Sequence, residues 1–220
     1  MRNPFLARFG DNEPALVAAG RQNIFESCLH QASMIQEKLD ADASPPKMID
    51  DFWFAEDDWR AWLRPYNVKN GILQIPVKGV LLHDFPYQFG AWATGYEYIL
   101  RAWQRGEEDG NVRAIALVCD SPGGMVAGCF DMVDRIHAKE GRKPLRAYAV
   151  ESAYSAAYAV ASVADNITVS RTGGVGSIGV VTAHIDVSAA MDREGVKITF
   201  IHFGKHKVVD FRREVTRGFH

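Results

Sequence analysis

An apolar run, Ala114-Ile115-Ala116-Leu117-Val118, leads through Cys119 into Asp120-Ser121-Pro122-Gly123-Gly124. A run that is apolar throughout, rather than alternating, is what a strand covered on both faces requires. The pattern around it fits that demand. Ile72 to Leu82 reads as one strand or two, with Pro76 marking an edge or a break. Tyr96–Trp103 reads as a helix, as does Met125–Ala138, which has apolar residues at helical spacing. Leu145–Val150 reads as a strand, Ser155–Val163 as a helix and Ile167–Val169 as a short strand. Ile178–Ala183, Val187–Arg193 and Val196–Ile201 continue as strand, helix and strand. Strands alternating with helices predict an α/β fold with a largely parallel sheet.

With 220 residues, 47% of them hydrophobic and 24% charged, the chain can bury one α/β core and carry an appended segment. A net charge of −2 gives no basis for a nucleic-acid surface. The apolar stretches fall short of the roughly 20 residues that span a bilayer. Met1-Arg2-Asn3-Pro4-Phe5 lacks the apolar core of a secretory signal, and no membrane anchor is read. Cys28, Cys119 and Cys129 are odd in number and lack metal spacing, so reduced thiols of a cytoplasmic protein are expected, with no metal and no cofactor.

Residues 1–70 read as an N-terminal extension, helical over Gln22–Leu39 and interrupted at Ser44-Pro45-Pro46. An aromatic cluster follows: Phe52, Trp53, Phe54, Trp59 and Trp62. It suits packing against the main domain or another subunit; lining a substrate site is the other use. Residues 71–220 form the main domain of this reading.

Three glycine- or serine-bearing segments carry candidate chemistry. Asp120–Gly124 reads as a turn between strand and helix, where two glycines let the backbone approach a ligand. Ser155, in Ala153-Tyr154-Ser155-Ala156-Ala157, opens a helix; it is either a cap or a nucleophile beside free N–H groups, with small neighbours keeping the site open. Gly173-Gly174-Val175-Gly176-Ser177-Ile178-Gly179 is either a flexible connection or the lining of a groove. A serine nucleophile needs a base. Of the histidines, His184 and His202 sit in or beside apolar strands and suit structural roles. The segment Gly204-Lys205-His206-Lys207 follows an apolar strand, and a lysine drawn against a sheet loses proton affinity and becomes a usable base.

Ser-Pro-Gly-Gly, the small-residue helix from Ser155 to Ala164-Asp165, Gly-Ser-Ile-Gly and Gly-Lys-His-Lys stand in the order found in signal-peptide-peptidase-A-type serine peptidases. Within that family the chain most resembles the phage head-maturation proteases. The resemblance covers roughly residues 72–210. It implies a ClpP/crotonase-like fold and a Ser–Lys dyad, with Ser155 as nucleophile, Lys207 as general base and Lys205 as the competing base. It further implies Ser177 as the residue that orients the lysine, and the N–H groups of Gly124 and Ala156 as the oxyanion hole. The partners it implies are capsid, scaffold or portal proteins, met in the host cytoplasm or a virion precursor by a homo-oligomer. Family members continue into a further helical segment beyond the base, so the domain is expected to be truncated at its C-terminus. A non-catalytic capsid-assembly component is the rival expectation. A crotonase-type acyl-CoA enzyme shares the fold without needing the serine and lysine.

Overall fold

The structure is a computed structural model that describes residues 15–17, 20–139, 141–179, 193 and 195. Every element below lies in the unit Met1–Val181, and Arg193 and Gly195 belong to a second unit, Thr182–His220. In chain order the elements are β1 (Ala15–Val17), α1 (Gln22–Ala41), a 3-10 turn (Trp59–Leu63), β2 (Asn67–Lys69), β3 (Ile72–Leu82), β4 (Gln88–Phe89) and β5 (Ala93–Gly95). Then come α2 (Tyr96–Glu108), β6 (Ala114–Met125), α3 (Cys129–His137), β7 (Leu145–Tyr154), α4 (Ala156–Ala161), β8 (Asn166–Val169) and β9 (Gly174–Gly176).

The strands form one mixed sheet in the order β4-β5-β3-β6-β7-β8, with β1 on β6, β2 on β3 and β9 on β7. The pairs β3–β5, β3–β6, β6–β7, β7–β8 and β7–β9 are parallel, so the expected α/β class with a largely parallel sheet is what the structure shows. β3 runs unbroken through Pro76, where Pro76 pairs with Val118 of β6. On its other side β3 meets β2 as far as Gln74 and β5 only from Val80. Pro76 sits in the gap between them, so its missing N–H removes no ladder bond.

The helices follow from their apolar faces. α2 buries Tyr96, Ile99 and Trp103 along one line and Tyr98 and Ala102 along the next, with Glu97 in its first turn and Arg105 in its last. α3 buries Cys129, Met132 and Ile136, with Asp131 at its start and Arg135 and His137 at its end. α1 places Phe25, Cys28, Leu29 and Ala32 in the same core cluster as the sheet. Among the described residues no helix is long and apolar enough to cross a membrane.

The aromatic segment divides. Phe52 and Trp53 are buried in the main core, and Trp53 packs edge-on against Tyr98 of α2. Trp59 and Trp62 stay half exposed. Arg64 lies over Phe52, Phe54 and Tyr87 and ties the segment together by cation–π contact. The three cysteines are free and buried, and burial raises each thiol's pKa, that of Cys119 to about 12.

Two boundaries differ from the sequence reading. Asp120–Gly124 is not a turn: β6 continues through it to Met125, and α3 begins only at Cys129. The strand is irregular there, and its register with β3 shifts between Lys78 and Val80. Ser121 repairs the irregularity: its buried hydroxyl donates to the Gly79 carbonyl at 2.6 Å and accepts from the Gly123 N–H at 3.2 Å. Replacing Ser121 with Ala orphans both backbone groups, and buried orphans cost about 1–3 kcal/mol. The urea midpoint of Ser121→Ala should fall accordingly at an unchanged slope; an unshifted midpoint would remove this hydroxyl from the account of the fold.

Candidate active site

The site begins where β6 and β7 part. They pair in register to Cys119 and Ala149, and again at Ser121 and Ala153 after a shift. Ser152 of β7 reaches across to Asp120, with its Oγ donating to Oδ1 at 2.8 Å. β6 then runs on with β3, where Gly124 pairs with Leu81. A Cβ on Gly124 would lie 2.1 Å from the Leu81 carbonyl oxygen, so no other residue fits this approach.

β7 ends at Tyr154, and Ser155 links it to α4 with φ 55° and ψ −119°. A serine rarely adopts positive φ, and such a conformation costs on the order of 1–3 kcal/mol unless its surroundings impose it. Three backbone bonds impose it here. The Ser155 N–H donates to the Gly176 carbonyl at 2.8 Å, and the Ser155 carbonyl accepts from the N–H groups of Tyr158 and Ala159 at 2.9 and 3.0 Å. The hydroxyl makes no capping bond to the helix. The capping role that the sequence allowed is therefore not the one Ser155 plays.

Ala153, Ala156 and Ala157 are fully buried. They do not hold the site open, as the sequence reading expected; they let β7 and α4 pack closely onto β6. Ala156 is the first residue of α4, so its N–H has no partner within the helix. At six residues, α4 offers these first N–H groups rather than a long macrodipole.

The glycine-rich segment is a strand and not a loose connection. β9 pairs Gly174 to Gly176 with Ser152 to Tyr154. A Cβ on Gly174 would meet the Tyr154 hydroxyl at 1.9 Å, so any larger residue there would have to move the Tyr154 ring. Gly176 and Ser177 then both take positive φ, at 121° and 55°. Ser177 itself is exposed. Ile178 and Gly179, expected to start a strand, instead reach the rim of a cavity of about 320 Å³. That cavity is lined by Phe130, Ser155, Tyr158, Ala159, Ser162, Ile178 and Gly179. Ser155, Tyr158, Ala159 and Ser162 lie three, four and seven apart on one helical face, a spacing that the sequence displays.

The structure thus brings Ser155, Ala156 and the Gly-Ser-Ile-Gly segment together, with Gly124 on the strand beneath α4. Lys205 and Lys207 lie outside the described residues, as do His184, His202 and His206. Asp165, at the end of the Ser155 helix, holds the fold together locally. Its carboxylate accepts from the Leu145 N–H at 2.8 Å while its own N–H donates to the Leu145 carbonyl.

A strained serine at a strand-to-helix junction, beside unpaired N–H groups and an apolar cavity, has the form of the nucleophile site of a hydrolase. Residues 137–218 match peptidase family S49. It is 35% identical over 218 residues to the capsid assembly protease C of Escherichia phage lambda, a match covering 94% of this chain and 49% of that protein. It is 34% identical over 207 residues to the head-tail preconnector protein GP5 of Enterobacteria phage P21, covering 90% of this chain and 40% of that one. The chain therefore spans about half the length, or less, of these curated relatives. Among solved structures it resembles a membrane-bound stomatin-specific protease (20% identity, TM-score 0.41, 58% of this chain and 57% of that one). It also resembles an enoyl-CoA hydratase/isomerase family member (12% identity, TM-score 0.40, 60% and 52%).

The strain at Ser155 is measurable. Glycine takes its backbone angles freely and alanine does not. Ser155→Gly should be more stable than Ser155→Ala by about 1–2 kcal/mol in chemical denaturation, despite glycine's greater unfolded-state entropy. Equal stabilities would mean that the junction stores no strain.

Proposed function

We propose that this chain is a serine endopeptidase that cleaves capsid or scaffold proteins during phage head assembly. The observation that carries the reading is Ser155, held at φ 55° on the wall of an apolar cavity with its hydroxyl free of the helix. The similarity to a phage capsid assembly protease supports the class of substrate, and capsid, scaffold or portal proteins in the host cytoplasm are the partners it points to. A homo-oligomer is the form we assign to the active protein.

In the proposed reaction Ser155 Oγ attacks the peptide carbonyl carbon as a neutral lysine amine takes its proton. The carbonyl π pair moves to oxygen, and the N–H groups of Gly124 and Ala156 receive the oxyanion. Such donors contribute about 3 kcal/mol each to transition-state stabilisation. Collapse of the intermediate breaks the C–N bond, and the lysine ammonium returns its proton to the leaving amine. Water, activated by the same lysine, then releases the acyl group. We assign the base to Lys207, the last residue of Gly204-Lys205-His206-Lys207, and its orientation to Ser177. Lys205 is the competing base.

The cavity beside Ser155 is walled by Phe130, Tyr158, Ala159 and Ile178 and suits an apolar substrate side chain next to the scissile bond. Ala159→Trp should fill it and lower kcat/KM for peptides with a large apolar residue there by at least about tenfold. Labelling of Ser155 by a small fluorophosphonate should survive that change; equal loss of both would assign the effect to misfolding.

The central test is co-expression with a scaffold protein. Ser155→Ala should abolish both scaffold cleavage and fluorophosphonate labelling, and Lys207→Ala should do the same while Lys205→Ala retains them. Undiminished processing by Ser155→Ala would overturn the reading, and loss in Lys205→Ala alone would move the base.

A further inference from the structure

Where β7 turns away into Ser155, one side of β6 would be bare. β6 still has β3 beside it there, since Gly123 and Gly124 pair with Val80 and Leu81. The opposite side, which β7 occupies as far as Ser121, is taken at Gly123–Met125 by β1. β1 lies antiparallel, with Val17 opposite Gly123, Leu16 opposite Gly124 and Ala15 opposite Met125. The chain then reaches Arg21, whose guanidinium lies 5.4 Å from the ring centre of Tyr154, the residue before Ser155. A segment of this protein therefore runs along the strand that holds the proposed oxyanion donor, on the side where Ser155 stands.

The backbone groups of β6 show which residue faces β1. The Gly123 N–H bonds to Ser121 Oγ, and the Met125 carbonyl accepts from the Tyr96 hydroxyl at 2.7 Å. Peptide groups alternate in direction along a strand, so Gly124 presents its N–H and C=O to Leu16. In an antiparallel bonded pair those two residues exchange both bonds. The Leu16 carbonyl then occupies the N–H assigned to the oxyanion.

We infer that β1 is a built-in competitor for the substrate: an intramolecular strand that occupies the peptide-binding edge of β6 and must leave before a substrate strand adds there. The inference rests on the peptidase reading of Ser155 and concerns the regulation of that same site. Addition of an extended peptide to a free strand edge is a common mode of recognition. A tethered competitor acts at an effective concentration on the order of millimolar. Dilute peptides do not displace it, whereas a polypeptide packed beside the enzyme in one assembly reaches a comparable local concentration. With three paired residues, β1 is short enough to be displaced.

The full chain provides the test, with quenched-fluorescent casein as probe. Leu16→Pro removes the N–H that faces Gly124, and the double variant Ala15→Pro/Val17→Pro removes the alternate pair. Leu16→Pro should raise kcat/KM at least fivefold, the double variant less, and a synthetic peptide of residues 12–20 should reverse the gain. In the same Leu16→Pro protein, amide exchange at Gly124 should quicken at least tenfold while Ile115–Cys119 stays protected, which separates loss of the strand from unfolding. Unchanged exchange overturns the inference whatever the activity. Faster exchange with unchanged hydrolysis overturns the competition, and so does Ser155-dependent cleavage of wild-type protein within residues 15–20, because the segment would then be a substrate. If Ser155 takes no fluorophosphonate and no variant cleaves casein, the peptidase reading falls, and the exchange result still reports whether β1 covers β6.

Discussion

The contact on which the site depends is between two backbones. At Gly124 β6 lies so near β3 that a methyl group would sit 2.1 Å from the Leu81 carbonyl oxygen. This approach keeps β6 in the sheet after β7 has left it, so the strand outlasts one of its two neighbours. The Ser121 hydroxyl completes the arrangement by bonding the backbone groups that the register shift would strand.

At Ser155 local preference is overridden. Its backbone angles are unfavourable for any residue with a side chain. Its N–H is bonded to β9, its carbonyl to α4, and the alanines on either side are buried against the sheet. β9 passes Tyr154 at Gly174, whose bare Cα leaves room for the Tyr154 ring, and it presents the Gly176 carbonyl to Ser155. The strain at one serine is thus sustained by a glycine in another segment, which accounts for their joint appearance in the sequence better than a flexible connection does.

Much of this was legible in advance, for definite reasons. The continuous apolar run of β6 and the helical spacing of α2 reflect burial, which dominates side-chain choice along those stretches. The end of β6 was misread because Pro122-Gly123-Gly124 carries the local marks of a turn. Its extended form comes from β3 and β1, partners distant in sequence. For the same reason Met125 fits the helical spacing of Cys129 and Met132 although it belongs to the strand. The cavity wall was written at Ser155, Tyr158, Ala159 and Ser162, but a face that mixes serine, alanine and tyrosine does not stand out as apolar. The two lysines fall outside the described residues, so the base rests on sequence order alone.

Two surfaces meet at Ser155, and they select in different ways. In the proposed peptidase the edge of β6 takes backbone, which every polypeptide offers, so it distinguishes extended from folded chains rather than one sequence from another. The cavity accepts one side chain and gains little discrimination from small differences in apolar size. A peptidase built on these two surfaces has modest sequence specificity of its own. Its selectivity must come from which chains are held nearby and extended, and a tethered strand on β6 sharpens that dependence by setting a threshold of local concentration. The exposed rim formed by Phe130 and Ile178, at 51% and 81% of full exposure, adds apolar surface at the point where an incoming chain would first meet the site. For the proposed peptidase, confinement with its substrate in one assembly is the condition under which such a site works on the intended chain and spares others.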